Sequence, residues 1–282
     1  MAEKRILISL AHPDDESFGL GGLIAKYVSE GADVYYICAT RGNRGTIAPE
    51  FLEKYGSIDA VRDAELECAS QVLGFKEVFK LGYGDSNMMG HADNSDPTCL
   101  WQADESVVTG QVVSVIRQIK PQVIITFDPY GGYGHPDHIF IHRATTRAFT
   151  AAADPSQYPD RGAPYQAQKL YYTAFPKNIL RFFLFMMRVR RQDPRRAGVN
   201  QDMDFMKIME NANDAHTYIN VRRWIDVWEQ ASACHASQIS PRTSMPRLLR
   251  VLLSSQQGLA RHFPEPRPGE RYERDLFEGV KL

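Results

Sequence analysis

The chain has 282 residues, of which 43% are hydrophobic and 24% charged, and its formal net charge at pH 7 is −1. This composition is ordinary for a soluble globular protein, and the near-zero charge gives no reason to expect nucleic acid or a membrane surface as a partner. No apolar run approaches the roughly 20 residues of a membrane span, and the first residues, MAEKR, lead directly into a predicted strand. We therefore expect a cytoplasmic protein.

The N-terminal half alternates short apolar runs with helical patterns. Residues 6–11 predict a buried parallel strand, because the run is too short for a helix and Pro13 stops it. Further strands are predicted at 33–39, 77–81, 122–127 and 169–174, and helices at 17–30, 57–73, 104–119 and from the HPDH motif to about 153. This alternation predicts an α/β fold: a Rossmann-like, doubly wound, mostly parallel sheet with helices on both faces.

After residue 175 the pattern becomes less regular. We predict that residues 1–175 form the core domain and that 176–282 form a mainly helical C-terminal extension packed on it. Helices are predicted at 179–191 and 221–235, with a further helical stretch at 248–259. Five arginines lie at or just after the end of the helix predicted at 179–191: Arg188, Arg190, Arg191, Arg195 and Arg196. They could contact phosphate, but the net charge favours a solvated basic face.

The four cysteines, Cys38, Cys68, Cys99 and Cys234, are widely spaced and form no C-x-x-C pair. With no cysteine motif present, the sequence does not support a disulfide framework. We therefore predict reduced, structural thiols.

Two strand exits more than a hundred residues apart carry nearly the same motif. HPDD at residues 12–15 follows the first strand, and HPDH at residues 135–138 follows the fourth. In a doubly wound sheet these two strands are often neighbours, so the loops can converge. Imidazole and carboxylate groups suit zinc or ferrous iron. One such histidine would more often be a loop or core residue, but two clusters at one sheet edge predict a metal site.

The motifs AHPDDE (11–16) and GHPDH (134–138) resemble those of the LmbE-like or PIG-L-type N-acetylglucosaminyl deacetylases, over residues 5 to about 175. The resemblance implies a catalytic zinc, or alternatively ferrous iron, bound by His12, Asp15 and His138. Three protein ligands leave one position open for water. It also implies a small-molecule amino-sugar conjugate as the substrate.

Catalytic roles follow from the same resemblance. It implies that Asp14 is the general base and that His135 stabilises the oxyanion and protonates the leaving amine. Asp137 would orient His135, and Tyr133, in GGYGHPDH, would face the oxyanion. The expected reaction is attack of a metal-activated water on an amide carbonyl, with release of acetate.

Finer features resemble the branch that deacetylates GlcNAc-inositol in mycothiol synthesis and its conjugate-amidase relative. Asp85 in GDSNMMG and Arg62 on the preceding helix match substrate-binding residues of that branch, and HASQ at 235–238 matches its H-x-[ST]-Q element. Asn43 stands where this branch often has a glutamate, so a carboxylate thought to face the substrate is missing.

Most of these residues also have an ordinary structural interpretation. The alternatives are a helix cap for Asp14, loop packing for Tyr133, a solvated helix charge for Arg62 and a turn for Asp85. His142, one helical turn after His138, is either another ligand or, as we expect, a structural residue.

Other functions remain open at this point. They are amide cleavage of a related thiol-sugar conjugate, ferrous oxygenase chemistry and non-catalytic binding of sugar or metal. An oxygenase does not require a second aspartate beside the ligand, and a binding protein does not require the whole set of acid and base groups. The sequence leaves the aglycone, the native metal and any homo-oligomer undetermined.

Overall fold

The computed structural model describes residues 3–197, 201, 203–239 and 255–282. Within these ranges the strands form one sheet in the order β3-β2-β1-β4-β5-β7-β6. The strands are β1 (Arg5–Leu10), β2 (Asp33–Thr40), β3 (Glu77–Tyr83), β4 (Val123–Thr126), β5 (Lys169–Thr173), β6 (Thr217–Asn220) and β7 (Gln256–Phe263). Strands β1 to β5 run parallel, and β7 is antiparallel to β5 and β6. The predicted α/β class with a mostly parallel sheet is confirmed.

Strand β1 lies at the centre of the sheet. Ile8 pairs with Tyr36 of β2 on one side and with Ile125 of β4 on the other. All residues of β1 after Arg5 are buried, as is usual for a parallel strand covered on both faces. The strand order reverses between β1 and β4, so their carboxyl ends meet at the switch point, where α/β folds bind ligands.

The helices that cover the sheet are α1 (Asp15–Ser29), α2 (Pro49–Tyr55), α3 (Ile58–Leu73), α4 (Glu105–Ile119), α5 (Gly131–Gly134), α6 (Pro136–Ala151), α7 (Lys177–Val189), α8 (Phe205–Asn211) and α9 (Ile225–Cys234). Helix α3 has the predicted ends. Ser57 accepts the amide N–H of Ala60, and Gly74 ends the helix at φ 76°. In the described part of the chain, no helix has both the length and the apolar character needed to cross a bilayer.

The C-terminal part differs from the prediction because it also extends the sheet, through β6 and β7. Residues 256–259 were predicted to end a helix, but they begin β7. Their alternation of exposed and buried positions is weak, and pairing with β5 and β6 decides their conformation. Residues 248–254 of that prediction lie outside the described residues. The domain boundary near residue 175 stays a prediction.

Cys68 in α3 and Cys234 at the end of α9 form a disulfide, with Cα atoms 5.7 Å apart. The prediction of reduced thiols is therefore wrong for this pair. Spacing alone could not reveal it, because 166 residues separate the two cysteines and only the packing of α9 on α3 brings them together. Cys38 and Cys99 are free and buried, as predicted.

Helix α9 also packs closely on α1, at two glycines. A Cβ atom at Gly21 would lie 2.5 Å from Cδ1 of Trp228, and one at Gly22 would lie 3.0 Å from Cε3 of the same ring. Larger residues at these positions would therefore push α9 away. This packing and the disulfide hold the end of α9, and the residues that follow it, against the core.

Candidate active site

The two histidine-aspartate loops converge at the carboxyl ends of β1 and β4. One imidazole nitrogen each from His12, His135 and His138 lies within 4.8 Å of the others, and all three residues are buried. A proline follows the first histidine of each motif: Pro13 follows His12, and Pro136 follows His135 as the first residue of α6. The predicted convergence is confirmed.

Two imidazoles and one carboxylate outline a metal position. Nδ1 of His12 lies 3.1 Å from Nε2 of His138. Asp15 presents one oxygen to each ring, 3.6 Å from Nδ1 of His12 and 3.4 Å from Nε2 of His138. Donors around a tetrahedral zinc with bonds of about 2.0–2.1 Å lie about 3.4 Å apart. The three residues therefore fit a divalent ion of this kind.

A second contact orients each ring. Nδ1 of His138 lies 3.1 Å from the carbonyl oxygen of Gly131, so this nitrogen carries the hydrogen and Nε2 keeps its lone pair. Nε2 of His12 lies 3.1 Å from Oδ2 of Asp137, which leaves Nδ1 to face Asp15 and His138. Such contacts are typical of histidines that bind metal, because they fix the tautomer and the ring plane.

Asp137 contacts His135 through its backbone amide, and the prediction that it orients His135 stays a prediction. Its carboxylate contacts His12, and Oδ2 lies 3.9 Å from Nδ1 of His135. Ser86 holds that carboxylate: its amide donates to Oδ2 at 2.9 Å and its hydroxyl donates to Oδ1. Sequence reasoning missed Ser86, whose only signal was its place after Asp85 at a strand exit.

His135 is held by the backbone of α6. It is the N-cap residue, and its Nδ1 accepts the amide N–H of Asp137 at 3.2 Å. In the neutral ring the hydrogen therefore sits on Nε2. Burial and the neighbouring His12 and His138 hold the pKa of His135 well below its ordinary value. A neutral ring with an Nε2–H donor is the form that this setting favours.

Tyr133 lies beside these histidines. Its ring centroid is 4.9 Å from that of His138 and 6.0 Å from that of His135, in both cases edge to face. It is carried by the single turn α5, in which Gly132 has φ 72° and allows the sharp approach to α6. The structure brings Tyr133 to the site, and its catalytic role stays a prediction.

Asp14 stands next to the metal position and has an unusual backbone. Its φ of 133° lies in a region that favours glycine, and such strain costs about 1–3 kcal/mol and is frequent at functional sites. Although Asp14 precedes α1, its side chain makes no capping bond. Its Oδ2 accepts a hydrogen bond from Arg62 at 2.8 Å. Burial raises the pKa of Asp14 to about 6, against the opposing effect of Arg62.

Arg62 is 2% exposed, so it is not a solvated helix charge. Besides Asp14 it donates to Glu65 at 3.0 Å and to the carbonyl oxygen of Pro13. Glu65 in turn accepts the amide N–H of Ser237 at 2.7 Å and its hydroxyl at 2.9 Å. We call Arg62, Glu65 and Ser237 the Arg62 support. The hydrogen bonds of the Arg62 guanidinium thus go to groups of the protein itself, and the binding of substrate by Arg62 stays a prediction.

Asp85 lies near the metal position as well. Its Oδ1 is 3.7 Å from Nε2 of His12 and 3.9 Å from Nε2 of His135. Burial raises the pKa of this carboxyl. Asn43 accepts the amide N–H of Asp85 at 3.0 Å and so holds this loop. A substrate contact of Asp85 stays a prediction.

Sequence reasoning gave no role to Glu16, the last residue of AHPDDE. Its Oε1 lies 2.7 Å from Nε2 of His235, and both side chains are 0% exposed. Its Oε2 accepts the amide N–H of Asp14 at 2.9 Å. The HASQ element thus reaches Asp14 by a second path, through the backbone. Glu16 and His235 are 219 residues apart, so nothing in the sequence indicated that they form a pair.

His142 lies outside the cluster. Its Nδ1 contacts the carbonyl oxygen of Phe127 at 2.7 Å, and its ring packs edge-on against Tyr172. Burial lowers the pKa of His142 to about 4. Within the described ranges it joins none of the groups that could hold a metal, in agreement with the structural role we expect.

Comparisons with known proteins agree with this site. The family model of PIG-L, described as GlcNAc-PI de-N-acetylase, matches residues 7–149. The 1D-myo-inositol 2-acetamido-2-deoxy-alpha-D-glucopyranoside deacetylase of Thermobifida fusca is 35% identical, over 98% of this chain and 100% of its own length.

Solved structures share the fold at lower identity. The N,N'-diacetylchitobiose deacetylase from Pyrococcus horikoshii superposes with a TM-score of 0.64 at 17% identity, over 92% of this chain and 84% of its own. The 4-carboxy-2-hydroxymuconate hydratase from Pseudomonas putida superposes with a TM-score of 0.57 at 18% identity, over 94% of this chain and 98% of its own. A hydratase on the same fold means that the fold alone does not define the reaction.

The chain is a metal-dependent N-deacetylase, an enzyme that hydrolyses an N-acetyl amide. It belongs to the PIG-L family. Within that family it is similar along its whole length to a deacetylase of a GlcNAc-inositol conjugate.

Proposed function

We propose that this enzyme removes the acetyl group from N-acetylglucosamine linked to inositol, with zinc as its native metal. The observation that carries the proposal is the pair of His12 and His138 nitrogens, 3.1 Å apart, with one oxygen of Asp15 3.6 Å from the first and its other oxygen 3.4 Å from the second, and with Asp14 adjacent in sequence. The similarity over the whole length of the chain supports the inositol conjugate as substrate. Two nitrogens and a carboxylate suit zinc, and ferrous iron is the alternative.

A zinc ion bound here would polarise the amide carbonyl and supply an activated water. Asp14 is the neighbouring carboxylate that takes the proton of that water. Arg62 holds one oxygen of Asp14 at 2.8 Å, and Glu16 fixes its backbone amide at 2.9 Å. The base is thus kept in one orientation before the substrate arrives, which is the kind of positioning that efficient proton transfer requires.

His135 and Tyr133 act on the carbonyl oxygen in this proposal. The Nε2–H of His135 and the Tyr133 hydroxyl donate hydrogen bonds to the oxygen as negative charge develops on it. The amide that donates to Nδ1 of His135 disfavours a second hydrogen on that nitrogen. This favours Asp14 over His135 as the group that passes a proton to the departing amine, whereas the sequence-based prediction gave that step to His135.

The experiment that tests the substrate is acetate release from a panel of N-acetylglucosamine conjugates by zinc-loaded enzyme. The panel joins N-acetylglucosamine to inositol, malate, a nucleotide or a second sugar, and includes a thiol-sugar conjugate for amidase activity. We expect the highest kcat/KM with the inositol conjugate. Cleavage of the thiol conjugate alone would make the enzyme an amidase, and no cleavage at all by the metal-loaded protein would leave a binding protein.

A further inference from the structure

Helix α7 presents apolar side chains to solvent on one face. Phe182, Phe185 and Val189 are 44%, 61% and 61% exposed. Their spacing of three and four residues places them in one stripe along the helix. The opposite side of α7 packs through Leu180 against α8. We call the stripe, together with its flanking Arg181 and Arg188, the α7 face.

The charge around this stripe is strongly positive. Residues 175–197 contain seven lysines and arginines and only one acidic residue, Asp193, although the whole chain has a net charge of −1. Lys177 pairs with Asp214 at 2.7 Å. For the six arginines of the segment, the described ranges contain no ion pair. An average over the chain therefore conceals a local basic surface next to exposed phenylalanines.

We propose that the α7 face docks on an anionic lipid surface. A short helix with large apolar residues on one side and arginines at their border has the form of helices that lie in the plane of a membrane interface. Thirteen residues are too few to cross a bilayer. The apolar stripe would enter the boundary of the acyl chains, while the arginines reach the lipid phosphates.

Charge argues against the other occupants of this face. A second copy would bring two arginine-rich surfaces together, and like charges at an interface cost several kcal/mol. Residues 240–254 of the same chain carry three arginines and no acidic residue, so they offer no complementary charge either. An anionic surface is the partner that satisfies both the apolar stripe and its basic border.

The side of α7 opposite the α7 face packs next to the active site. Tyr133 packs against the small cluster of Leu180, Ile208 and Ala212, in which α7 meets α8. The ring of Phe175, 42% exposed, lies 3.4 Å from the position of a Cβ atom on Gly132. Docking through the α7 face would therefore leave one helix, α7, between the lipid headgroups and Tyr133.

The test is sedimentation of the full-length protein with vesicles of phosphatidylcholine alone or with added phosphatidylglycerol. We expect binding only to the phosphatidylglycerol vesicles, and weaker binding when salt is raised well above about 0.1 M. In the variant R188Q/R190Q/R191Q the partition coefficient should fall on the order of a hundredfold, since each basic residue near such a surface contributes about fivefold. F182S/F185S should also lose binding.

Two matched controls lie elsewhere on the surface. Val107 is 49% exposed on α4 and is changed to Ser, and Arg222 and Arg223, exposed before α9, are changed to Gln. Both controls should bind as the unchanged protein does, and thermal unfolding monitors the fold of every variant.

Three results would overturn the proposal. They are no binding to the phosphatidylglycerol vesicles, equal binding to both kinds of vesicle, and a loss of vesicle binding in the control variants as large as that in the α7 variants. Self-association that F182S/F185S abolishes, without vesicle binding, would instead assign the α7 face to a second copy. None of these readouts depends on the deacetylase reaction, so the docking can fail while the proposed function holds.

Discussion

The two sides of the active site are held in different ways. On the metal side, the proposed ligands are His12 just after β1, Asp15 at the start of α1 and His138 in the first turn of α6, so short segments that follow β1 and β4 position them. On the other side, Asp14 is held by the Arg62 support, which reaches it from α3 and from residues after α9.

This difference teaches that one site combines local and distant determinants. The metal side depends on strand pairing in the middle of the core, which is among the most stable parts of such a fold. The Arg62 support depends on the docking of a segment more than 170 residues away in sequence. Substitutions on the metal side should abolish metal binding. Substitutions in the Arg62 support should lower the catalytic rate while the metal stays bound.

The largest effect is expected for H138A, which removes one of the three proposed metal ligands. We expect loss of the bound metal and of activity, measured by elemental analysis and acetate release. The matched control is H142Q, one helical turn away, which should keep its metal because His142, in the described part of the chain, joins no group that could hold a metal. A stoichiometric metal content in H138A would remove His138 from the ligand set.

The next effect is expected for D14N. This variant should keep the metal and lose about 10²–10⁴-fold in kcat, the usual loss when a positioned base is removed. The control is D63N, on the exposed face of α3, which should act normally. Full activity of D14N would contradict the assignment of Asp14 as the base.

A smaller effect is expected for the pH dependence of the free energy of unfolding, which should come from His142 and not from the metal side. Its pKa is about 4 in the folded protein, against an ordinary value of about 6.5. As the pH falls below 6.5 the unfolded chain binds a proton that the folded chain does not, so stability is lost between pH 6.5 and 4. Between about pH 7.5 and pH 5 this group should remove about 2 kcal/mol from the free energy of unfolding.

Urea unfolding of the unchanged protein and of H142Q at both pH values measures this difference. The unchanged protein should lose more stability than the variant over the interval. Tyr172 packs on His142, and the charged forms of His262 and Arg143 also lower the pKa of His142. His262 stacks on Tyr172 and can titrate, so H262Q is the control for a shared titration. Equal losses in the unchanged protein and H142Q would assign the pH dependence elsewhere.

The smallest effect is expected for S237A, which removes one hydrogen bond from Glu65. Losing such a bond to a charged group should lower kcat about three- to tenfold, with KM little changed. The control is S232A on α9, whose hydroxyl lies 3.5 Å from the carbonyl oxygen of Ser17. A raised KM with unchanged kcat would mean that the Arg62 support serves substrate binding rather than Asp14.

The same contrast explains which parts the sequence could predict. The strands β1 to β5 and helices α1, α3, α4 and α6 were predicted because each is a local pattern of apolar residues with a defined stop, such as Gly74 after α3. Strands β6 and β7 were missed because their conformation depends on pairing with a sheet that is built from distant residues.

The site divides in the same way. His12, Asp15 and His138 stand in short motifs whose residue types predict a metal site, and the family resemblance implied these three as its ligands. The role of Glu16 depends on His235, and the setting of Arg62 depends on Ser237, so neither was accessible before the fold was known. The Cys68–Cys234 disulfide was missed for this reason as well.

The measurement that tests the account most directly is acetate release from the GlcNAc-inositol conjugate by enzyme stripped with a chelator and then reloaded with zinc. We predict that stripping abolishes release, that zinc restores it in the unchanged protein, and that D14N binds the same zinc without regaining activity. Release that survives complete removal of the metal, or a D14N variant that recovers with zinc, would contradict the account.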